Sequence, residues 1–166
     1  MAGIKDVLVN NHVLMSTEKS NAIVESYFKS VKNKGRAQAD KTEQEFLSNY
    51  ASRNGVTALP SGVCYKVLRE GTGQKPTDGQ KVKTHYEGKL ISGDIFDSSY
   101  ERGNPATFNI NQVIRGWTEV LKLMPTGSKW EVAIPYKMAY GERAAGAKIK
   151  PYSTLIFTID LLEILE

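Results

Sequence analysis

The chain has 166 residues, 40% of them hydrophobic and 24% charged, and its formal net charge is +4. This composition is typical of a soluble globular protein, and the length predicts one domain with an appendage. The basic residues form no stripe interleaved with aromatic side chains, which argues against a nucleic-acid partner.

Two features of the sequence, the single cysteine and the N-terminal stretch, indicate the cellular compartment of the protein. Cys64 has no second cysteine to pair with, which favours a reducing environment, and we expect a cytoplasmic location. Near the start of the chain, Asp6 and the Asn10-Asn11 pair interrupt the apolar run, so we expect no signal peptide. No segment approaches the ~18 apolar residues of a membrane span, so we expect no membrane partner.

Residues 1–58 are predicted to be mostly helical. Apolar residues recur at helical spacing from Ile23 to Val31, and the pattern ends in the Lys-Asn-Lys-Gly segment at 32–35. A second helix is predicted to begin at Asp40, because Asp40 and Glu43 match a capping box.

The segment at 4–15 is ambiguous. Ile4, Val7 and Leu8 fit one face of a helix, whereas the short apolar runs on either side of Asn10-Asn11 fit a hairpin.

After Pro60 the spacing of apolar residues changes from helical to strand-like. Segments rich in Gly, Pro and Asp predict turns between short strands. Strict alternation is clearest near Trp130 and Phe157, where every second residue is apolar. The predicted extended segments are 62–70, 81–91, 95–99, 106–110, 128–135 and 154–164.

One helical pattern interrupts these strands. Apolar residues from Val113 to Met124, with Trp117 between them, form one stripe of a helix about three turns long. Asn111 is its predicted N-cap, and Pro125 follows its end. A short helix among antiparallel strands must bury its stripe against the sheet. We therefore predict an α+β fold in which an antiparallel sheet wraps around one short helix, preceded by a small helical region.

Five stretches of the chain, in matching order and spacing, resemble FKBP-type peptidyl-prolyl cis-trans isomerases, the macrolide-binding family. They are VKTHYEGKL (82–90), GDIFDSS (93–99), QVIRGWTEVLKLMPTGSKW (112–130), MAYGERAAG (138–146) and STLIFTIDLLEI (153–164). The lead-in TALPSGVCYKVLREGTG (57–73) resembles the bacterial branch, whose members carry a helical region before the isomerase domain. The resemblance implies a helical N-terminal region at 1–58 and an isomerase domain at 59–166.

The resemblance implies an enzyme that catalyses rotation of Xaa-Pro peptide bonds in proline-containing polypeptides and so assists protein folding. The reaction breaks no covalent bond, and we expect neither a cofactor nor a metal. The implied catalytic residues are Phe96, Asp97, Trp117 and Tyr140. The implied substrate-binding residues are Tyr86, Phe96, Val113, Ile114, Trp117, Tyr140, Ile149 and Phe157.

The implied roles follow the chemistry of each group. The Trp117 indole would form the floor beneath the proline ring, although a ring on a buried stripe is by itself more often part of the core. The Tyr140 hydroxyl and the Ile114 backbone N–H would donate to a substrate carbonyl. Asp97 would be the polar edge of the pocket.

Three positions depart from the family pattern. Ala106 stands where the best-known members carry an aromatic wall residue, so we expect a wider pocket. Lys148 and Lys150 stand where apolar residues or proline are common, which leaves binding of macrolide inhibitors open.

The sequence leaves two further questions open. The second hypothesis for the function is a proline-segment binding module or chaperone with little catalytic role. Homodimerisation through the N-terminal helices is open as well, because residues 1–58 are shorter than the dimerising region of longer relatives.

Overall fold

The structure is a computed structural model that describes residues 17–165. The ambiguous segment at 4–15 lies outside the described residues. Within this range there are two α-helices, α1 (Thr17–Ala51) and α2 (Arg115–Leu121). The strands are β1 (Val56–Ala58), β2 (Cys64–Arg69), β3 (Lys81–Leu90), β4 (Ile95–Ser98), β5 (Ala106–Asn109), β6 (Lys129–Ile134) and β7 (Leu155–Leu165).

All strand pairs are antiparallel and form one sheet. The order is β1-β2-β6-β7-β3-β4, and β5 pairs with β3 as well. The apolar residues that alternate along β6, Trp130, Val132 and Ile134, all belong to the main core. Ala133 between them is buried too, but in a second cluster with Tyr50 and Cys64. The predicted fold class, a sheet wrapped around one short helix, is confirmed.

Helix α2 lies against the sheet through its buried side. Trp117, Val120 and Leu121 are almost fully removed from solvent, and Gly116 lets the helix approach β6 closely. A Cβ atom on Gly116 would lie 2.5 Å from Ile134 Cγ2. The helix is shorter than its apolar stripe, because the residues before it adopt other conformations.

The predicted N-cap at Asn111 is wrong. A 3-10 helix (Ile110–Gln112) precedes α2, and the Asn109 side chain caps it by accepting a hydrogen bond from the Asn111 N–H. Ile114, whose φ of −59° and ψ of 149° are close to the polyproline II conformation, then precedes the first residue of α2. Asn109 and Asn111 are only two positions apart, and either could cap a helix. The path of the backbone decides between them, and the spacing of the apolar residues does not reveal that path.

The predicted break between two N-terminal helices is also wrong. Helix α1 runs without interruption through the segment at 32–35. One glycine costs a helix only about 1 kcal/mol relative to alanine, and good helix formers follow Gly35. Asp40 and Glu43 do not start a helix. Their carboxylates accept hydrogen bonds from Tyr136.

By compactness the chain divides within α1, into residues 1–38 and residues 39–166. In the second unit the end of α1 packs on the sheet, where the buried Tyr50 ring contacts β2 and β6 and its hydroxyl donates to Glu131 at 2.8 Å.

Strand β1 was not predicted, because three residues are too few for alternation to show. The division into functional domains at residue 58 stays a prediction.

No helix within residues 17–165 combines the length and the apolar character that crossing a membrane requires.

Two glycine substitutions should have opposite effects on stability. Gly35→Ala should raise helical stability by about 1 kcal/mol, because Gly35 is exposed in α1 and an added Cβ has no atom within 4 Å. Gly116→Ala should lower the free energy of unfolding by about 1–3 kcal/mol through the clash with Ile134. Circular dichroism during thermal unfolding measures both. If Gly35→Ala left the stability unchanged, α1 would not be continuous through Gly35.

Candidate functional site

A pocket with a volume of about 420 Å³ opens between α2 and the strands that face it. Its walls come from β3, β4, β5, β7, the segment before α2 and the long loop after β6. It is lined by Tyr86, Phe96, Asp97, Phe108, Gln112, Val113, Ile114, Trp117, Tyr140 and Phe157. The Trp117 side chain is only 4% exposed and closes the bottom of this pocket.

The Trp117 indole is held between three rings from three strands. Its centroid lies 5.4 Å from that of Tyr86, 5.3 Å from that of Phe108 and 5.3 Å from that of Phe157, all in edge-to-face geometry. The buried indole N–H has no hydrogen-bond partner among residues 17–165. The floor of the pocket is therefore an aromatic surface whose orientation the three neighbouring rings fix.

The side wall depends on a glycine. Gly88 in β3 lies beside Phe96 and Phe157, and a Cβ atom there would be 2.6 Å from the first ring and 2.8 Å from the second. Because that Cβ is absent, the two rings pack edge to face with their centroids 5.6 Å apart. The wall thus exists because β3 has no side chain at this position.

The polar edge of the pocket is a network of three side chains. The Tyr86 hydroxyl and the Arg102 guanidinium both donate to the Asp97 carboxylate, and Arg102 also donates to the Tyr86 hydroxyl at 2.8 Å. Partial burial works against ionisation of Asp97, but the hydrogen bonds from Tyr86 and Arg102 outweigh it and lower the pKa of this carboxyl. Asp97 is therefore ionised at neutral pH and is held in place.

Two residues that line the pocket carry hydrogen-bond donors. Burial, and then the negative charge of Asp97, raise the pKa of Tyr140, so its hydroxyl keeps its proton at neutral pH. No hydrogen bond within residues 17–165 takes up the backbone N–H of Ile114, which immediately precedes α2. A carbonyl oxygen bound in the pocket can accept from either group.

The structure brings the predicted site residues together with one exception. Ile149 lies outside the main pocket and lines a neighbouring cavity of about 310 Å³, which shares Phe96, Asp97 and Tyr140 with it. Lys148 also lines this cavity, and its Nζ donates to the Ile95 carbonyl at 2.6 Å. The roles given to these residues stay predictions.

Sequence reasoning missed three residues. Phe108 lies two positions after Ala106 on β5 and supplies an aromatic wall, a signal that the alternation of this strand contained. Gln112 lines the pocket from the 3-10 helix. Arg102 lies in a turn without periodicity, so no pattern in the sequence connected it with Asp97.

The chain matches the model of the FKBP-type peptidyl-prolyl cis-trans isomerase family over residues 72–162. The model of the domain amino-terminal to such isomerases matches residues 1–67.

Individual relatives agree with these matches. The FKBP-type 22 kDa peptidyl-prolyl cis-trans isomerase of Escherichia coli is 44% identical, and the match covers 99% of this chain and 82% of that protein. Outer membrane protein MIP of Legionella longbeachae is 40% identical, with coverage of 98% and 72%.

Among solved structures, the peptidyl-prolyl cis-trans isomerase of Pseudomonas syringae superposes with a TM-score of 0.74 at 38% identity, covering 78% of this chain and 96% of that chain. FkpA of Escherichia coli superposes with a TM-score of 0.71 at 34% identity, covering 98% and 79%.

Removing Arg102 should change the acid side of the pH profile of catalysis. The pKa of Asp97 lies below its ordinary 3.8 and Arg102 helps to lower it, so the carboxylate stays ionised as the pH falls towards that value. In Arg102→Ala the pKa of Asp97 rises, and kcat/KM should begin to decline at a higher pH than in the unmodified chain. The measurement is kcat/KM between about pH 3.5 and 8. Arg115→Ala, which removes an exposed arginine of α2, is the control, and superimposable profiles for all three proteins would refute the role of Arg102.

Proposed function

The chain belongs to the FKBP-type peptidyl-prolyl cis-trans isomerases, and from this premise we propose how its pocket accelerates the reaction. The protein is an isomerase that catalyses rotation of Xaa-Pro peptide bonds and assists protein folding. The observation that carries the mechanism is an apolar pocket floored by Trp117 and edged by an ionised Asp97.

The barrier to be lowered arises from resonance in the imide. Rotation about a peptide bond costs about 18–20 kcal/mol, and prolyl bonds isomerise unaided in tens to hundreds of seconds. In the half-rotated state the nitrogen is no longer conjugated with the carbonyl, and the separation of charge is smaller. A dry pocket with aromatic walls therefore favours the rotated imide over the planar one, and no nucleophile is needed.

The donors at the opening act on the carbonyl oxygen. The Tyr140 hydroxyl or the Ile114 N–H holds a substrate carbonyl while the imide rotates, and Asp97 orients Tyr86 at the edge of the pocket. An acceleration of four to six powers of ten corresponds to roughly 5–8 kcal/mol. Exclusion of water together with one or two hydrogen bonds reaches this range.

The same pocket is proposed to bind macrolide inhibitors, as the family does. The wall is aromatic at Phe108 although position 106 is alanine, which leaves space beside β5. Lys148 lines the neighbouring cavity, and the hydrogen bond from its Nζ to the Ile95 carbonyl holds the side chain in place. Lys150 is exposed and is proposed to affect the choice of the residue beside proline.

The second candidate function concerns an exposed apolar stripe on α1. Its side chains are between 49% and 66% exposed and recur at helical spacing: Ile23, Val24, Tyr27, Phe28 and Val31. Exposed apolar side chains that lie next to one another on a helix mark a site where another protein surface binds. We propose that a second copy of the chain covers the stripe, and the alternative occupant is an unfolded client protein.

The cytoplasmic location is retained as a proposal. Its support is the single cysteine, Cys64, which is buried and unpaired by any disulfide.

Two substitutions test the mechanism on a short Xaa-Pro peptide. Asp97→Val removes the carboxylate that accepts from Tyr86 and Arg102, and Trp117→Ala removes the floor of the pocket. Each should lower kcat/KM by about tenfold or more, equal to about 1.4 kcal/mol of barrier. Coupled proteolysis or exchange NMR measures the rate, and circular dichroism verifies that each variant is folded. An unmodified protein that only matches the rate in buffer would exclude catalysis.

Light scattering tests the proposed homodimer. The unmodified chain should have the mass of two chains, and Phe28→Asp should shift the equilibrium to the mass of one, because the charge enters the apolar stripe. Asn33→Asp introduces the same charge on the opposite side of the same helix, where Asn33 is exposed, and should remain dimeric. A monomeric unmodified chain would exclude the dimer. If such a monomer suppressed aggregation of an unfolded protein and Phe28→Asp did not, the stripe would be a client-binding surface.

A further inference from the structure

The loop that carries Tyr140 begins at the end of β6 and returns at the start of β7. It includes the 3-10 helix Tyr136–Met138, the Tyr140 hydroxyl at the pocket and Ile149 at the neighbouring cavity. A loop of this length can sample many conformations, so the position of Tyr140 depends on what fixes the two ends of the loop.

One carboxylate oxygen contacts both ends of this loop. Glu43 Oε2, on α1, accepts a hydrogen bond from the Tyr136 backbone N–H at 2.7 Å and another from the Thr154 hydroxyl at 2.6 Å. Tyr136 and Thr154 are both nearly inaccessible to solvent. The two donors are 18 residues apart in sequence, and Glu43 joins them through a single atom.

Neighbouring contacts extend this junction into the loop. Asp40, one turn earlier on α1, accepts from the Tyr136 hydroxyl at 2.7 Å, and the Tyr136 ring meets that of Tyr152 edge to face at 5.4 Å. The Tyr136 carbonyl accepts from the Gly141 N–H at 2.8 Å. The Gly141 carbonyl in turn accepts from the Tyr152 N–H at 2.9 Å, so the residue after Tyr140 is bonded to both arms of the loop.

We propose that Glu43 is a positioning residue for the isomerase reaction, which acts by fixing the base of the loop that presents Tyr140 to the substrate. Part of the region before the isomerase domain thereby contributes to the active site without contacting the substrate. The proposal rests on the proposed function of Tyr140 as the donor to a substrate carbonyl.

The chain offers matched variants. Glu43→Ala removes the acceptor from both ends of the loop, and Glu43→Gln keeps an oxygen that can accept both hydrogen bonds. Glu45→Ala is the control, because Glu45 lies on the same helix, is exposed, and pairs with Lys41 at a distance of 3.9 Å. Thr154→Val removes one of the two hydrogen bonds and retains the shape of the side chain.

The first readout is amide hydrogen exchange, which does not depend on activity. In Glu43→Ala the amides of Tyr136, Gly141 and Tyr152 should exchange about tenfold faster, whereas amides of β3 and β7 should keep their protection. Glu43→Gln should recover most of the protection, and Glu45→Ala should resemble the unmodified chain. Unchanged exchange in the loop of Glu43→Ala would overturn the proposal.

The second readout is a double-mutant cycle with Tyr140→Phe. Glu43→Ala should lower kcat/KM about tenfold in the unmodified background and much less in the Tyr140→Phe background, because the loss passes through the Tyr140 hydroxyl. Equal losses in both backgrounds would show a merely structural role and contradict the proposal.

If Glu43→Ala does not fold, the cycle is run with Thr154→Val. We then expect a smaller loss of kcat/KM, which again disappears in the Tyr140→Phe background. If Tyr140→Phe itself retains full activity, the assigned role of Tyr140 fails, and the exchange experiment then decides separately whether Glu43 holds the loop.

Discussion

The packing of one indole among three rings underlies both the fold and the site. Trp117 is the side chain through which the short helix contacts three different strands of the sheet, at Tyr86, Phe108 and Phe157. The inner side of the same ring belongs to the core, and its outer side is the bottom of the pocket. A substrate proline therefore meets a surface whose orientation is already set by folding, and no ordering of this surface has to accompany binding.

The charges around this surface are satisfied before a substrate arrives. Asp97 accepts from Tyr86 and Arg102, and this leaves no charge in the pocket without a partner. The pKa of Tyr140 is raised, mainly through burial, which keeps its hydroxyl a donor. The pocket thus combines an apolar interior with neutral donors at its opening, and this combination suits a reaction in which a carbonyl rotates but no bond is broken.

Patterns within strands carried more information than signals at single residues. Alternation located β6 and β7 because alternating apolar residues of each strand pack into the main core, and the apolar stripe located α2 together with Trp117. Gly35 suggested a helix end that does not exist, since one glycine cannot outweigh the residues on either side of it. Glu43 matched a capping box, yet its acceptor oxygen accepts from residues 93 and 111 positions away, and only the three-dimensional fold brings them together.

The central claim is that the pocket prefers a half-rotated imide to a planar one. Titration calorimetry can compare two ligands of equal size, one a planar Xaa-Pro peptide and the other a proline derivative whose imide carbonyl is held out of plane. We expect the twisted ligand to bind at least about a hundredfold more tightly, as transition-state analogues do, and to lose this advantage in Trp117→Ala. Equal affinity for the two ligands in the unmodified protein would contradict the account.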